Sequence, residues 1–270
     1  MPRTRSRTRQ PRPVATRSKR RGPPAVTSYW DRTRWPLQSL YFLLPLLIAY
    51  QLGVVLLASG ATRLPPIFAE SLLSRFFDLF GVSGIHLPGL FVVVVLLAQH
   101  AVTRDPWEAE PRLYAGMAVE SVLLAMPLLA FAALLSRYGD PVAGLADAFA
   151  SAPPNDPVAD MAWNQRIIIA LGAGIYEELV FRLIAIALLH AVLHEGLRLS
   201  HKTATLGAVV LSSAAFAAYH FFGPNNAFDA ARATLYAVGG AYLAAVYILR
   251  GFGVVVGAHA VYDIIVFSQH

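Results

Sequence analysis

The sequence predicts an all-α, polytopic transmembrane helical bundle of about seven spans. Three observations carry this prediction. Hydrophobic residues make up 56% of the 270 and charged residues only 14%, against about 25% charged in soluble domains. Mean hydropathy is +0.53. The apolar residues fall in successive runs near the ~20 residues that a helix needs to cross the hydrocarbon core. Those runs are continuous rather than alternating, which excludes barrel strands and leaves helices as the spanning structure.

The runs follow in chain order. Residues 37–59 carry no charge and form the clearest span. Residues 66–80 are amphipathic, with Glu70, Arg75 and Asp78, and are expected to lie at the membrane interface. Residues 85–102 are rich in Val and Leu, and 113–135 contain Glu120. A polar stretch at 136–163 carries Asp140, Asp147, Asp156 and Asp160. Residues 164–193 contain Glu177, Glu178 and Arg182, and three further runs follow at 204–221, 230–249 and 252–268. No repeat or second domain is visible. Residues 37–270 read as one transmembrane domain, with its polar motifs in 164–270.

Charge is distributed unevenly. Residues 1–36 hold eleven of the 22 Lys and Arg and one acid, Asp31. The remainder is mildly acidic. The segment reads as a disordered, Arg-rich tail attracted to anionic lipid. It has no helical periodicity and no folded nucleic-acid-binding pattern around it, so no nucleic acid partner is expected. The positive-inside rule places this tail, and the N-terminus, in the cytoplasm. The chain is thus expected to be an integral protein of the cell inner (plasma) membrane, with 136–163 on the far side. The absence of cysteine excludes disulfides, cysteine nucleophiles and thiolate metal sites.

Ionisable groups inside spans are costly and point to function. Glu178 and Arg182, at i and i+4, share a helix face and form a structural pair. Glu177 lies roughly 100° around the helix from Glu178, which leaves it without that cation. A carboxylate placed so suits a general base. His220 ends the run Phe216-Ala-Ala-Tyr-His, and His259 precedes Asp263 by four residues. Asp263 is therefore placed to orient the His259 imidazole. Two histidines and a leftover Glu on three spans predict a shared polar site.

The ordered motifs Glu177-Glu178-x-x-x-Arg182, Phe216-x-x-x-His220 and His259-x-x-x-Asp263 resemble the CPBP family. These are the CAAX-protease and bacteriocin-processing (ABI) membrane endopeptidases. The resemblance covers residues 164–270. It implies hydrolysis of a peptide bond near the C-terminus of a membrane-anchored or C-terminally tailed protein. It further implies that Glu177 and His220 activate the attacking water while His259 and Asp263 stabilise the oxyanion. An ionised Asp cannot donate to an oxyanion, whereas the Asn of some members can, so the role of Asp263 stays open between stabilising and orienting.

Glu177, His220 and His259 would also make a three-ligand zinc set with an open position. No His-Glu-x-x-His is present, and a glutamate-dependent hydrolase without cofactor is favoured over a zinc enzyme. The non-enzyme alternative is an inactive scaffold or a proton-coupled transporter using the same Glu/His network.

Other polar residues have simpler readings. Gly81-Val-Ser83-Gly84 matches a short serine-protease motif but reads as an interfacial turn. His190, His194 and His201 read as boundary residues, with a surface metal site as the alternative. Glu120, His86 and His100 are expected to snorkel at span ends. Asn225 and Asn226 read as a turn. On these boundaries His220 and His259 differ in depth by roughly 13 Å at 1.5 Å per residue, which a shared site does not permit.

Overall fold

The computed structural model describes residues 28–58, 64–137, 161–222 and 230–269. Regular structure among them is entirely helical. Most of the Arg-rich tail, most of the acidic 136–163 stretch, and Asn225 and Asn226 lie outside the described residues.

The helices are α1 (Tyr29–Arg32), α2 (Pro36–Ala58), α3 (Phe68–Asp78), α4 (Leu87–Thr103) and α5 (Pro111–Arg137). After these, α6 (Trp163–Glu178) continues without a break through a π-helical stretch, Leu179–Ala185. It then runs through α7 (Ile186–Ala191) and a second π-helical stretch, Val192–Gly196. Helices α8 (His201–Tyr219), α9 (Ala230–Arg250) and α10 (Phe252–Phe267) complete the chain. By length and composition α2, α5 and α9 can each cross a membrane, and α4 and α10 are shorter apolar helices. The bundle exposes Ile48, Leu52 and Leu56 of α2, Leu90 of α4, Leu123 of α5 and Leu206 of α8. Such a surface is stable only against lipid, and the protein is an integral membrane protein.

Helix α10 occupies the centre, packed on α2, α5, α6 and α9. Residues Phe252 to Ala260 are all buried. A helix apolar on every side belongs in an interior. The turn that delivers it from α9 runs through Gly251 at φ 90°, a conformation that a side chain disfavours. Gly251 also lies against the backbone of Thr33 and Arg34, where a Cβ would come within 2.9 Å of Arg34 Cα.

The end of the predicted tail is ordered, contrary to the expectation for 1–36. Ser28 and Asp31 form a reciprocal capping box that starts α1. The Ser28 hydrogen bonds hold the Asp31 carboxyl below its usual range. Arg250 then ties α1 to the bundle. Its guanidinium pairs with Glu120 and donates to Thr33 Oγ1 at 3.0 Å. It also stacks 3.9 Å over the Trp30 ring. Tyr29 donates to Glu120 at 2.9 Å, and burial with that bond pushes its hydroxyl up to about 12. Glu120 therefore does not snorkel; it is the acid at the hub of an interhelical network. His100 does not snorkel either, being fully buried and edge-on to Trp107 at 4.3 Å. His86 is exposed as expected, with Nδ1 2.8 Å from Gln51.

Candidate active site

Three elements bring the predicted residues together. The last turn of α6 supplies Glu177 and Glu178, and Arg182 follows in the first π-helical stretch. The end of α8 supplies Tyr219 and His220, while α10 supplies His259 and Asp263. Glycine sets the distance between α6 and α10. A Cβ on Gly174 would lie 3.0 Å from both the nitrogen and the Cβ of Ala260, and 3.1 Å from the carbonyl of Val256. Backbones this close put the two glutamates within reach of His259.

His259 is the hub. Its Nδ1 lies 2.7 Å from Glu178 Oε1. Its Nε2 lies 3.5 Å from Asp263 Oδ2 and 3.9 Å from Glu177 Oε2. The closest orienting carboxylate is thus Glu178, not Asp263 as the i, i+4 spacing predicts. Asp263 sits on the other side of the ring. The expected pair is also present, with Arg182 Nε 3.1 Å from Glu178 Oε2 and both side chains fully buried. Arg182 lies 4.2 Å over the Phe216 ring and donates to the Gly240 carbonyl at 3.3 Å. Glu178 therefore has two partners, one structural and one in the site.

His220 is packed on several sides. Phe216 and Tyr219 stand edge-on at 4.7 and 4.8 Å, and Tyr236 stacks at 4.0 Å and 15°. Its Nδ1 donates to the Phe216 carbonyl at 2.8 Å, so in the neutral ring Nε2 carries the lone pair. Sequence reasoning assigned Tyr219 no role, yet its hydroxyl donates to Glu177 Oε1 at 2.8 Å. Spacing along the chain carries no sign of this bond, since its partners are 42 residues apart.

His220, His259 and Asp263 line one cavity of about 80 Å³, closed on its other side by apolar residues of α5 and α9. The expected depth difference between the two histidines therefore does not exist. Residues 194–203 are exposed, whereas Gly251 and Phe252 are buried, Gly251 against the backbone of Thr33 and Arg34.

Among the described residues no group of three or more His, Asp and Glu side chains is arranged to hold a metal. His190, His194 and His201 form an exposed cluster, with His190 Nε2 3.0 Å from His201 Nδ1. Ser83 lies in the exposed turn between α3 and α4.

Residues 160–265 match the family described as Rce1-like, type II CAAX prenyl endopeptidase Rce1-like. The matched stretch contains every motif residue named above. Curated proteins and solved structures give no match.

Proposed function

We propose, from the match of residues 160–265 to the Rce1-like CAAX endopeptidase family, that this chain is an intramembrane endopeptidase. It hydrolyses a peptide bond near the C-terminus of a membrane-associated, prenylated protein. The observation that carries the reading is the single cavity lined by His220, His259 and Asp263, with Glu178 behind His259 at Nδ1 and Glu177 beside its Nε2.

In this mechanism a water in the cavity attacks the scissile carbonyl carbon. Glu177, assisted by His220, accepts the water proton and returns it to the departing amine nitrogen. The carbonyl oxygen becomes the oxyanion. His259, with its Nδ1–H given to Glu178, offers Nε2–H in its imidazolium form. Asp263 supports that cation, which accounts for a carboxylate where a donor would otherwise be needed. Every step uses protein side chains and water, and no metal is assigned. The N-terminus lies in the cytoplasm, where its arginines meet anionic lipid.

The test is cleavage of prenylated tail peptides by purified protein. Glu177→Ala and His220→Ala should each abolish cleavage while leaving the thermal unfolding midpoint in detergent within a few degrees of wild type. A chelator should leave wild-type activity intact. Activity lost to chelator and restored by zinc would overturn the metal-free assignment. Wild-type protein no more active than Glu177→Ala would overturn the hydrolase reading.

A further inference from the structure

Helix α9 turns one face to the cavity, and residues 235, 239 and 243 stand on that face at four-residue spacing. The first and last are leucines, both buried. Gly239 lies between them, beside a second glycine, Gly240. Packing explains Gly240: a Cβ there would come within 3.1 Å of the Phe216 ring and 3.4 Å of the Ser213 backbone. Packing does not explain Gly239. A Cβ on it would meet nothing nearer than Leu128 Cδ2 at 3.8 Å among the described residues, an ordinary contact. Gly239 has no positive φ to require glycine, and glycine weakens a helix interior. What the missing side chain leaves is room in the cavity.

That room is apolar. Leu128 and Phe131 of α5 face Leu235 and Leu243 of α9 across it. Tyr236 and Tyr262 complete the lining beside the histidines. The polar end of the same cavity holds His220 and His259. A peptide carbonyl placed there would direct a neighbouring side chain into the apolar end. Its leucine and phenylalanine walls suit an apolar side chain.

We infer that Gly239 sets the depth of the pocket that receives the substrate side chain beside the scissile bond. The inference rests on the hydrolase reading above. It makes Gly239 a specificity-determining residue that takes no part in the chemistry.

The test uses the purified full chain and two series of prenylated tail peptides. Each series varies the residue on one side of the scissile bond through Ala, Val, Leu and Phe. Wild type should cleave the Leu member at least as well as the Ala member in one series. In that series Gly239→Val should lower the Leu-to-Ala ratio of kcat/KM by roughly 10- to 100-fold. Gly239→Ala, whose methyl fits without displacement, should move the ratio the same way by a smaller factor. It carries the test if the valine variant does not fold. Wild-type activity with an unchanged ratio in both series for Gly239→Ala and every folded variant would overturn the assignment of Gly239 alone. Wild-type protein no more active than Glu177→Ala on all members would overturn the hydrolase reading and this one with it.

Discussion

Glu178 holds Arg182 with one oxygen and His259 with the other, so its replacement has two separable effects. Glu178→Gln leaves a fully buried guanidinium without its counter-charge. Removing one partner of a buried pair costs about 3–5 kcal/mol. The thermal midpoint in detergent should fall accordingly, and activity should fall with it. Tyr219 has a narrower job. Its hydroxyl fixes Glu177 Oε1, leaving Oε2 as the oxygen nearer His259. Tyr219→Phe should lower kcat by about 10- to 100-fold, the worth of one hydrogen bond to a charged group. KM and the thermal midpoint should change little; an unchanged kcat would remove Tyr219 from the site. Arg182 and Glu178 were legible as a pair because i, i+4 geometry is local. The bonds from Glu178 to His259 and from Tyr219 to Glu177 were not, since they depend on how separate helices meet.

Helices were legible nearly to their ends, because the apolar runs stop close to a polar residue, Gly or Pro. Two element-level features left no trace in the pattern. The π-helical stretches at Leu179–Ala185 and Val192–Gly196 continue a helical pattern on both sides, and hydrophobic periodicity does not register a change of helix type. The cover that residues 33–34 place over Gly251 was equally hidden, because the sequence of a turn does not say which separate segment packs on it. The contact of α6 with α10 can be tested directly. Gly174→Ala inserts a methyl 3.0 Å from the Ala260 backbone, and overpacking of this kind costs about 1–3 kcal/mol. It also pushes Glu177 and Glu178 away from His259. Activity should drop further than the stability loss explains, whereas Gly196→Ala, with open space around it, should match wild type in both assays.

For the whole molecule, an all-helical membrane bundle followed from composition and run length alone. The central place of α10 did not, although its residues offered one signal: it is apolar on all sides where α9 is not. Orientation remains to be measured, and the absence of cysteine makes the measurement clean. With the N-terminus cytoplasmic, Gln10→Cys in intact cells should resist a membrane-impermeant maleimide and Ala150→Cys should react. The reverse pattern would invert the proposed topology. The Arg250 clamp also bears on biogenesis. Its guanidinium donates to the carbonyl of Trp30, 220 residues earlier, and Glu120, with which it pairs, is also made long before it. At about 5–20 residues per second of synthesis, α1 waits roughly 10–40 s for the arginine that holds it. Glu120 precedes the arginine by 130 residues, and until residue 250 is made the nascent chain resembles a ring whose clasp comes last. A chain released before residue 250 is left open, with Glu120 keeping Tyr29 as a partner but lacking the arginine.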